Sequence, residues 1–441
     1  MRNAVRKHAR ARHGHAESTS AFARGRALLR SRDFRLLWSG QAFAQIGDGL
    51  VKVALLWYVY NLTGSALKMT MIGLLQTLPP LVLGPLIGVY LDRLPKKPFM
   101  ITVDAVRGAL TLVIPLLHAF GMLTLGRLYA LVLLTSVFAA VFGPAMSAAV
   151  PMIVKRDQLT GANAWIQSTV TIGMVVGPAL SGSGIALIGV ENVLWIGGPM
   201  FLISALLLLP IHLNEDCAER RGGALASLGT DLVCGLKFIF LERAAVRLMM
   251  LTSVLHSIAA SAFVFLLPVY ASKVAHVGPA ELGWYWSMYG VGMMAVSVGL
   301  GFMKQGRPGT RYLIMAAALA LGSFGSFTLG GLTNFYTGLI SILLIGGSLA
   351  VVTPIIWARL QEETPADMRG RVFTTFGSGA MFASMIGILG FGWAADRLGA
   401  QWSLVAMGAI LGATALLAVG LRIWAGSAAR RPAADAQRRR A

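Results

Sequence analysis

The chain has 441 residues, of which 56% are hydrophobic and only 13% are charged. Soluble globular domains carry about 25% charged residues, so this chain has too few polar groups to cover a water-exposed surface. Apolar runs of membrane-spanning length recur from end to end, which excludes a soluble protein with a single membrane anchor.

The formal net charge of +20 would suit a protein that binds nucleic acid. Such a protein concentrates Lys and Arg on a folded polar domain. Here the basic residues lie between apolar runs and at the two termini. We therefore expect membrane lipids as the surroundings and no nucleic-acid partner.

Twelve apolar runs are arranged as six, a polar interval and six more. They lie near 35–60, 67–91, 99–120, 126–149, 162–189, 192–212, 246–271, 281–303, 311–330, 334–357, 372–395 and 402–424. Each is long enough to cross about 30 Å of hydrocarbon as a helix, which satisfies its own backbone in lipid. The sequence predicts an all-α membrane protein with about twelve transmembrane helices in two six-helix bundles.

The polar intervals divide the chain and orient it. The predicted segments are a basic tail (1–33), an N-terminal bundle (34–213), a linker (214–243), a C-terminal bundle (244–425) and a second basic tail (426–441). Lys and Arg are abundant in alternate loops and sparse in the others, and basic loops stay on the cytoplasmic side. We expect both termini and the linker to be cytoplasmic, in a bacterial inner membrane.

The two halves are related by an offset of 210 residues around the fourth and fifth runs. The matching pairs are Pro144 with Pro354, Asp157 with Asp367, Gly177 with Gly387, and Gly182 with Gly392. Their equivalent positions favour an internal duplication, an arrangement in which two parallel repeats are related by an axis along the membrane normal.

The first run carries a polar stripe. Gln41, Gln45, Asp48 and Lys52 are spaced 4, 3 and 4 residues apart, which places them on one helical face. A charge in mid-membrane costs at least about 2.5–3.5 kcal/mol, so Asp48 must face water or a partner. Two interpretations stay open: Asp48 and Lys52 neutralise each other as a structural pair, or the stripe lines a cavity where Asp48 binds substrate or a proton.

The loop after the second run contains Gly88, Asp92, Arg93, Lys96 and Lys97. It resembles the signature G-x-x-x-D-[RK]-x-G-[RK]-[RK] of the major facilitator superfamily, although Pro95 replaces the usual glycine. The resemblance implies a cytoplasmic latch that holds one conformation shut. Asp104 and Arg107, three residues apart early in the third run, are expected to be further latch members.

The fifth run contains Gly173, Gly177, Pro178 and Gly182. The segment resembles G-x-x-x-G-P-x-x-G-G, a motif of the exporter (antiporter) branches of that superfamily, with Ser181 in place of one glycine. Small residues let neighbouring helices pack closely, and Pro178 permits a bend. The motif favours export over uptake. In the seventh run, His256 is a further candidate for the cavity, since a histidine can titrate near neutral pH.

The resemblance extends from about Ser31 to Arg422. The opening segment Asp33–Gly40, Asn163 with Ala164, and Arg369–Phe373 are similar to the macrolide-efflux and enterobactin-exporter group of drug:proton antiporters. That similarity implies a secondary transporter that exports an amphipathic small molecule (a drug, a siderophore or another secondary metabolite) by proton antiport and alternating access. Two alternatives stay open, a lysophospholipid-type lipid transporter and a non-transporting membrane sensor.

Motifs for ATP-driven transport or for catalysis do not occur in the sequence. It contains no Walker loop, no HExxH and no metal-spaced Cys/His cluster. We therefore expect no enzyme activity, no catalytic residues, no cofactor and no metal. The expected partners are a small-molecule substrate, protons and membrane lipids, with the protein acting as a monomer.

Overall fold

The computed structural model describes residues 28–91, 95–155, 158–213, 236–237, 239–240, 244–302, 308–331, 334–365 and 368–438. Within those ranges the chain forms twelve long helices. The first six are α1 (Arg32–Thr63), α2 (Ala66–Leu91), α3 (Lys96–Ala119), α4 (Leu125–Ile153), α5 (Leu159–Ile188) and α6 (Val190–Leu208). The second six are α7 (Ala244–Lys273), α8 (Pro279–Phe302), α9 (Pro308–Gly331), α10 (Phe335–Glu363), α11 (Arg369–Arg397) and α12 (Ala400–Arg438).

Eleven of these helices are long and apolar enough to cross a membrane. The other is α8, whose first half is rich in Trp, Tyr and Gly, and these residues lower its mean hydropathy. The predicted all-helical membrane fold is confirmed. The helices begin and end within a few residues of the predicted runs, except that α10 and α12 continue well beyond them. The predicted linker lies almost entirely outside the described residues.

The same helix pairs pack in each half of the chain. In the N-terminal half α1 packs against α5 and α6, and in the C-terminal half α7 packs against α11 and α12. The glycines related by the offset make equivalent contacts. Gly177 packs against the α1 backbone near Ile46, and Gly387 packs against the α7 backbone near Ile258. These paired contacts support an internal duplication.

The halves meet along two seams, α2 against α11 and α5 against α8. Gly182 on α5 approaches Gly283 on α8 so closely that an added Cβ would lie 2.7 Å from the Gly283 Cα. The equivalent Gly392 on α11 packs against Thr70 on α2. Both close approaches lie near the predicted outer ends of the helices, so the two halves are in contact on that side.

Candidate functional site

Three charged side chains form a cluster inside the N-terminal half. Arg107 on α3 donates a hydrogen bond to the Asp48 carboxylate on α1, with a nitrogen–oxygen distance of 2.5 Å. The same guanidinium lies 3.6 Å from a carboxylate oxygen of Asp104, which also accepts a hydrogen bond of 2.6 Å from Ser204 on α6. The guanidinium stacks on the Phe201 ring, 4.3 Å from its centroid. One arginine is thus shared by two carboxylates.

The cluster lies near the middle of both α1 and α3. Asp48 is the seventeenth of the 32 residues of α1, and Arg107 is the twelfth of the 24 residues of α3. Asp104 and Arg107, expected as further latch members, lie within α3 and form this cluster with Asp48. Lys52 is not the ion-pair partner of Asp48. A guanidinium spans two carboxylates better than a lysine ammonium because its donors are arranged in a planar fork.

The three members of the cluster differ in exposure. The Arg107 side chain is 5% exposed and that of Asp104 is fully buried, whereas the Asp48 side chain is 44% exposed. Arg107 and Asp104 are therefore buried within the N-terminal half. Asp48 presents a carboxylate that solutes in the space between the halves can reach.

Lys52 lies one helical turn beyond Asp48 and points toward the other half. Its ammonium is 5.5 Å from the centroid of the Trp286 ring on α8 and 6.0 Å from that of the Phe265 ring on α7. A cation over an aromatic face gains about 0.5–2 kcal/mol, more when water is excluded. Trp286 is buried, so these rings replace part of the hydration that the ammonium loses.

A cavity of about 150 Å³ opens beside these side chains at the boundary between the halves. It is lined by Gln45, Asp48, Gly49, Lys52, Val53, Gly173, Met174, Pro178 and Trp286. Three members of the predicted stripe and two of the predicted exporter motif therefore meet at one site. Gln41 and His256 are buried and do not line this cavity.

The glycines of α5 bring that helix against α1 at the level of the cavity. A Cβ added to Gly173 would lie 2.6 Å from the carbonyl oxygen of Gln45, and one added to Gly177 would lie 2.8 Å from that of Ile46. Gly182, farther along α5, contacts the other half instead. The motif thus packs α5 against its own bundle at one level and against the opposite bundle at the next.

A carboxylate also joins the halves at the predicted outer face. Asp396, in the last turn of α11, accepts hydrogen bonds from the Ser65 hydroxyl (2.6 Å), the Ala66 amide (2.6 Å) and the Leu67 amide (3.1 Å). These amides begin α2 and have no partner within the helix, and a negative charge is favourable at a helix N-terminus. Asp396 therefore caps a helix of the opposite half.

The loop predicted as a latch is only partly described. Asp92 and Arg93 lie outside the described residues, and Gly88 is near the end of α2. Lys96 is buried in the first turn of α3, and Lys97 follows it. Within the described residues, no group of three or more His, Cys, Asp or Glu side chains is arranged to hold a metal.

Sequence reasoning missed the partners that complete the site. Arg107 was recognised as a charge but was not connected with Asp48, and neither Ser204 nor Asp396 was singled out. One signal was available: Asp104 and Arg107 lie within an apolar run, where a charge needs an opposite charge at the same depth. Asp48 on the first run meets that condition.

Comparisons with known proteins agree with this architecture. The family model of the Major Facilitator Superfamily matches residues 37–388, most of the chain. Macrolide efflux protein A of Streptococcus pyogenes is 24% identical over 379 residues, covering 84% of this chain and 92% of the relative. Multidrug efflux pump Tap of Mycolicibacterium fortuitum is 25% identical over 375 residues, covering 82% and 89% respectively.

A solved structure shows the same fold. The nucleoside transporter NupG superimposes with a TM-score of 0.71 at 12% identity, covering 88% of this chain and 99% of that protein. At that identity the likeness concerns the fold alone. The family match, the helical architecture and the efflux relatives lead to one conclusion: the chain belongs to the major facilitator superfamily, as a multi-pass membrane transporter of a small-molecule substrate.

Proposed function

We propose that the chain exports an amphipathic small molecule in exchange for protons, by alternating access across a bacterial inner membrane. The observation that carries the proposal is Asp48. It is a half-exposed carboxylate at mid-helix on a cavity between the two halves, and it is held by an arginine that a second carboxylate shares. Similarity to macrolide and multidrug efflux proteins supports the direction and the substrate class.

Arg107 gives Asp48 two alternative states. When Asp48 is ionised, it pairs with the guanidinium, and the pair is satisfied within the N-terminal half. When Asp48 takes up a proton, that attraction is lost, and Arg107 keeps Asp104 as a partner. Because the guanidinium never lacks a carboxylate, protonation of Asp48 does not leave a buried charge alone. Proton entry down a potential of 100 mV releases about 2.3 kcal/mol per charge.

Alternating access needs one face of the protein to be closed while the other is open. The Asp396 cap and the close approach of Gly182 to Gly283 support an arrangement closed on the outer side. We place both termini in the cytoplasm on the basis of the loop charges. The cytoplasmic latch would then consist of Gly88, Asp92, Arg93, Lys96 and Lys97. The proposed unit is a monomer.

The test is transport of a radiolabelled macrolide by purified protein in liposomes, with and without a pH gradient. Asp48→Asn preserves shape and removes the titratable group, so we expect downhill exchange to survive and pH-driven accumulation to be lost. Asp48→Glu should retain coupling. As a matched control, Glu191→Gln neutralises a carboxylate that is paired with His118 near the predicted outer end, and it should leave coupling unchanged.

The coupling role of Asp48 is wrong if the folded Asp48→Asn protein still accumulates the macrolide against its gradient. A double variant, Asp48→Asn with Lys52→Met, tests whether the stripe holds another titratable group. Coupled transport by that variant would likewise exclude the stripe as the proton site. If the wild-type protein accumulates the macrolide without regard to the pH gradient, proton antiport itself is wrong.

A further inference from the structure

Among the described residues, the ammonium of Lys52 forms no ion pair with the other charged groups of the cavity. Arg107 and the two carboxylates Asp48 and Asp104 are joined to one another inside the N-terminal half. Within the described part of the chain, Lys52 has no carboxylate within the 4.0 Å of an ion pair. Its neighbours are the π faces of Trp286 and Phe265, and it lines the cavity.

Aromatic rings stabilise a cation without neutralising it. Their faces attract the ammonium through a quadrupole, and the ammonium can still attract an anion that approaches from the open side. Trp286, which lines the cavity, also offers ring surface to an apolar group attached to that anion. Lys52 thus presents a charged point beside an apolar surface, which is the complement of an amphipathic anion.

The cavity accepts an organic group as well as a charge. Its volume of about 150 Å³ equals that of a protein cavity known to admit one benzene molecule. Met174, Pro178 and Val53 supply apolar surface, and Gln45 supplies an amide that can donate a hydrogen bond. A carboxylate on an aromatic ring fits this set of groups, with the carboxylate at Lys52 and the ring against Trp286.

A cationic substrate would meet less favourable groups. The charge of the accessible carboxylate, Asp48, is already opposed by Arg107 at 2.5 Å, and the ammonium of Lys52 lies one turn away on the same face. A cationic substrate would therefore lie close to the ammonium of Lys52, while the accessible carboxylate is already paired with Arg107. The position of Lys52 therefore favours an anionic group over a cationic one.

We propose that the transported substrate is an amphipathic organic anion, and that Lys52, held between Trp286 and Phe265, is the residue that selects its carboxylate. This inference rests on the proposed export function and specifies the substrate class of the same cavity.

The experiment uses three probes that share a phenyl group and a four-carbon chain. They are 4-phenylbutyrate (anion), 4-phenylbutanol (neutral) and 4-phenylbutylamine (cation). Radiolabelled 4-phenylbutyrate is tested directly for counterflow by the full-length protein in liposomes, and each of the three compounds, unlabelled, is tested as an inhibitor of that counterflow. For the wild-type protein we expect the anion to inhibit at a concentration at least tenfold lower than the other two.

Substitutions at Lys52 test whether that preference depends on its charge. In Lys52→Met the three probes should inhibit at about equal concentrations. In Lys52→Arg the anion should still inhibit at a lower concentration than the other two. Lys273→Met is the matched control: its ammonium lies 5.9 Å from the Tyr60 ring, a contact of the same kind, but it does not line the cavity. The Lys273→Met variant should transport at the wild-type rate, and the three probes should inhibit it at the same concentrations as they inhibit the wild type.

The outcomes separate the two levels of the proposal. Counterflow with equal inhibition by the three probes, or with preference for the amine, overturns the anion inference and leaves export intact. An undiminished preference in folded Lys52→Met overturns the role of Lys52. If Lys52→Met does not fold, the inhibitory concentrations of the three probes for the wild type and for Lys52→Arg still test the anion inference. Absence of 4-phenylbutyrate counterflow overturns the anion inference, and transport of the macrolide then decides separately whether export stands.

Discussion

The charge cluster predicts that Arg107 contributes far more to stability than Asp48, although the two form one ion pair. Replacing Arg107 by Met removes the cation and leaves Asp104, which is fully buried, with Ser204 as its remaining hydrogen-bond partner. Breaking a buried ion pair by deleting one partner costs about 3–5 kcal/mol. Asp48→Asn deletes a carboxylate that is 44% exposed and leaves Arg107 paired with Asp104, so we expect a cost of about 1 kcal/mol.

The predicted difference between the two variants is at least about 2 kcal/mol, roughly 30-fold in the unfolding equilibrium. Urea-dependent unfolding in detergent micelles, followed by circular dichroism, measures it. Arg107→Met combined with Asp104→Asn removes the buried charge together with its partner and should recover most of the loss. Arg127→Met makes the same substitution at an exposed site and should change stability by less than about 0.5 kcal/mol.

Equal stability of Arg107→Met and Asp48→Asn would refute this reasoning, because it would mean that Asp104 tolerates burial without its counter-ion. A double variant that is no more stable than Arg107→Met would also count against it. In that case the loss would come from the packing of Arg107 on Phe201.

Two further predictions concern the predicted outer face and the orientation. Asp396→Ala removes a helix cap worth about 0.5–2 kcal/mol and should shift the population toward an outward-open state about fivefold, measured as spin-label distances between the outer ends of α2 and α11. Glu281→Ala is the control, because that carboxylate caps the Gly278 amide within its own half; an equal shift in both variants would contradict a role of Asp396 in closure. In a chain whose native cysteines are replaced by serine, a cysteine at Gly64 should react with an impermeant maleimide on intact cells and one at Lys97 should not, and the reverse pattern would overturn the orientation.

The sequence by itself determined the fold class, because membrane spans are decided locally. A helix satisfies its backbone without neighbours, so length and apolarity were enough to place helices such as α1 and α7 within a few residues. The polar stripe of α1 followed from helical periodicity, and the structure places Gln45, Asp48 and Lys52 on one cavity. The α5 motif followed from a short pattern, and Gly173 and Gly182 make the close contacts that such a pattern predicts.

Only the tertiary structure decided which charged side chains form ion pairs with each other. Asp48 had a sequence neighbour of opposite charge, Lys52, but its actual partner is Arg107 on another helix, because a buried second carboxylate, Asp104, holds that guanidinium in reach. Lys52 consequently contacts the Trp286 ring and lines the cavity. Spacing along one helix reveals the residues that share a face, whereas pairing across helices depends on rotation and depth, which hundreds of weak packing contacts set together.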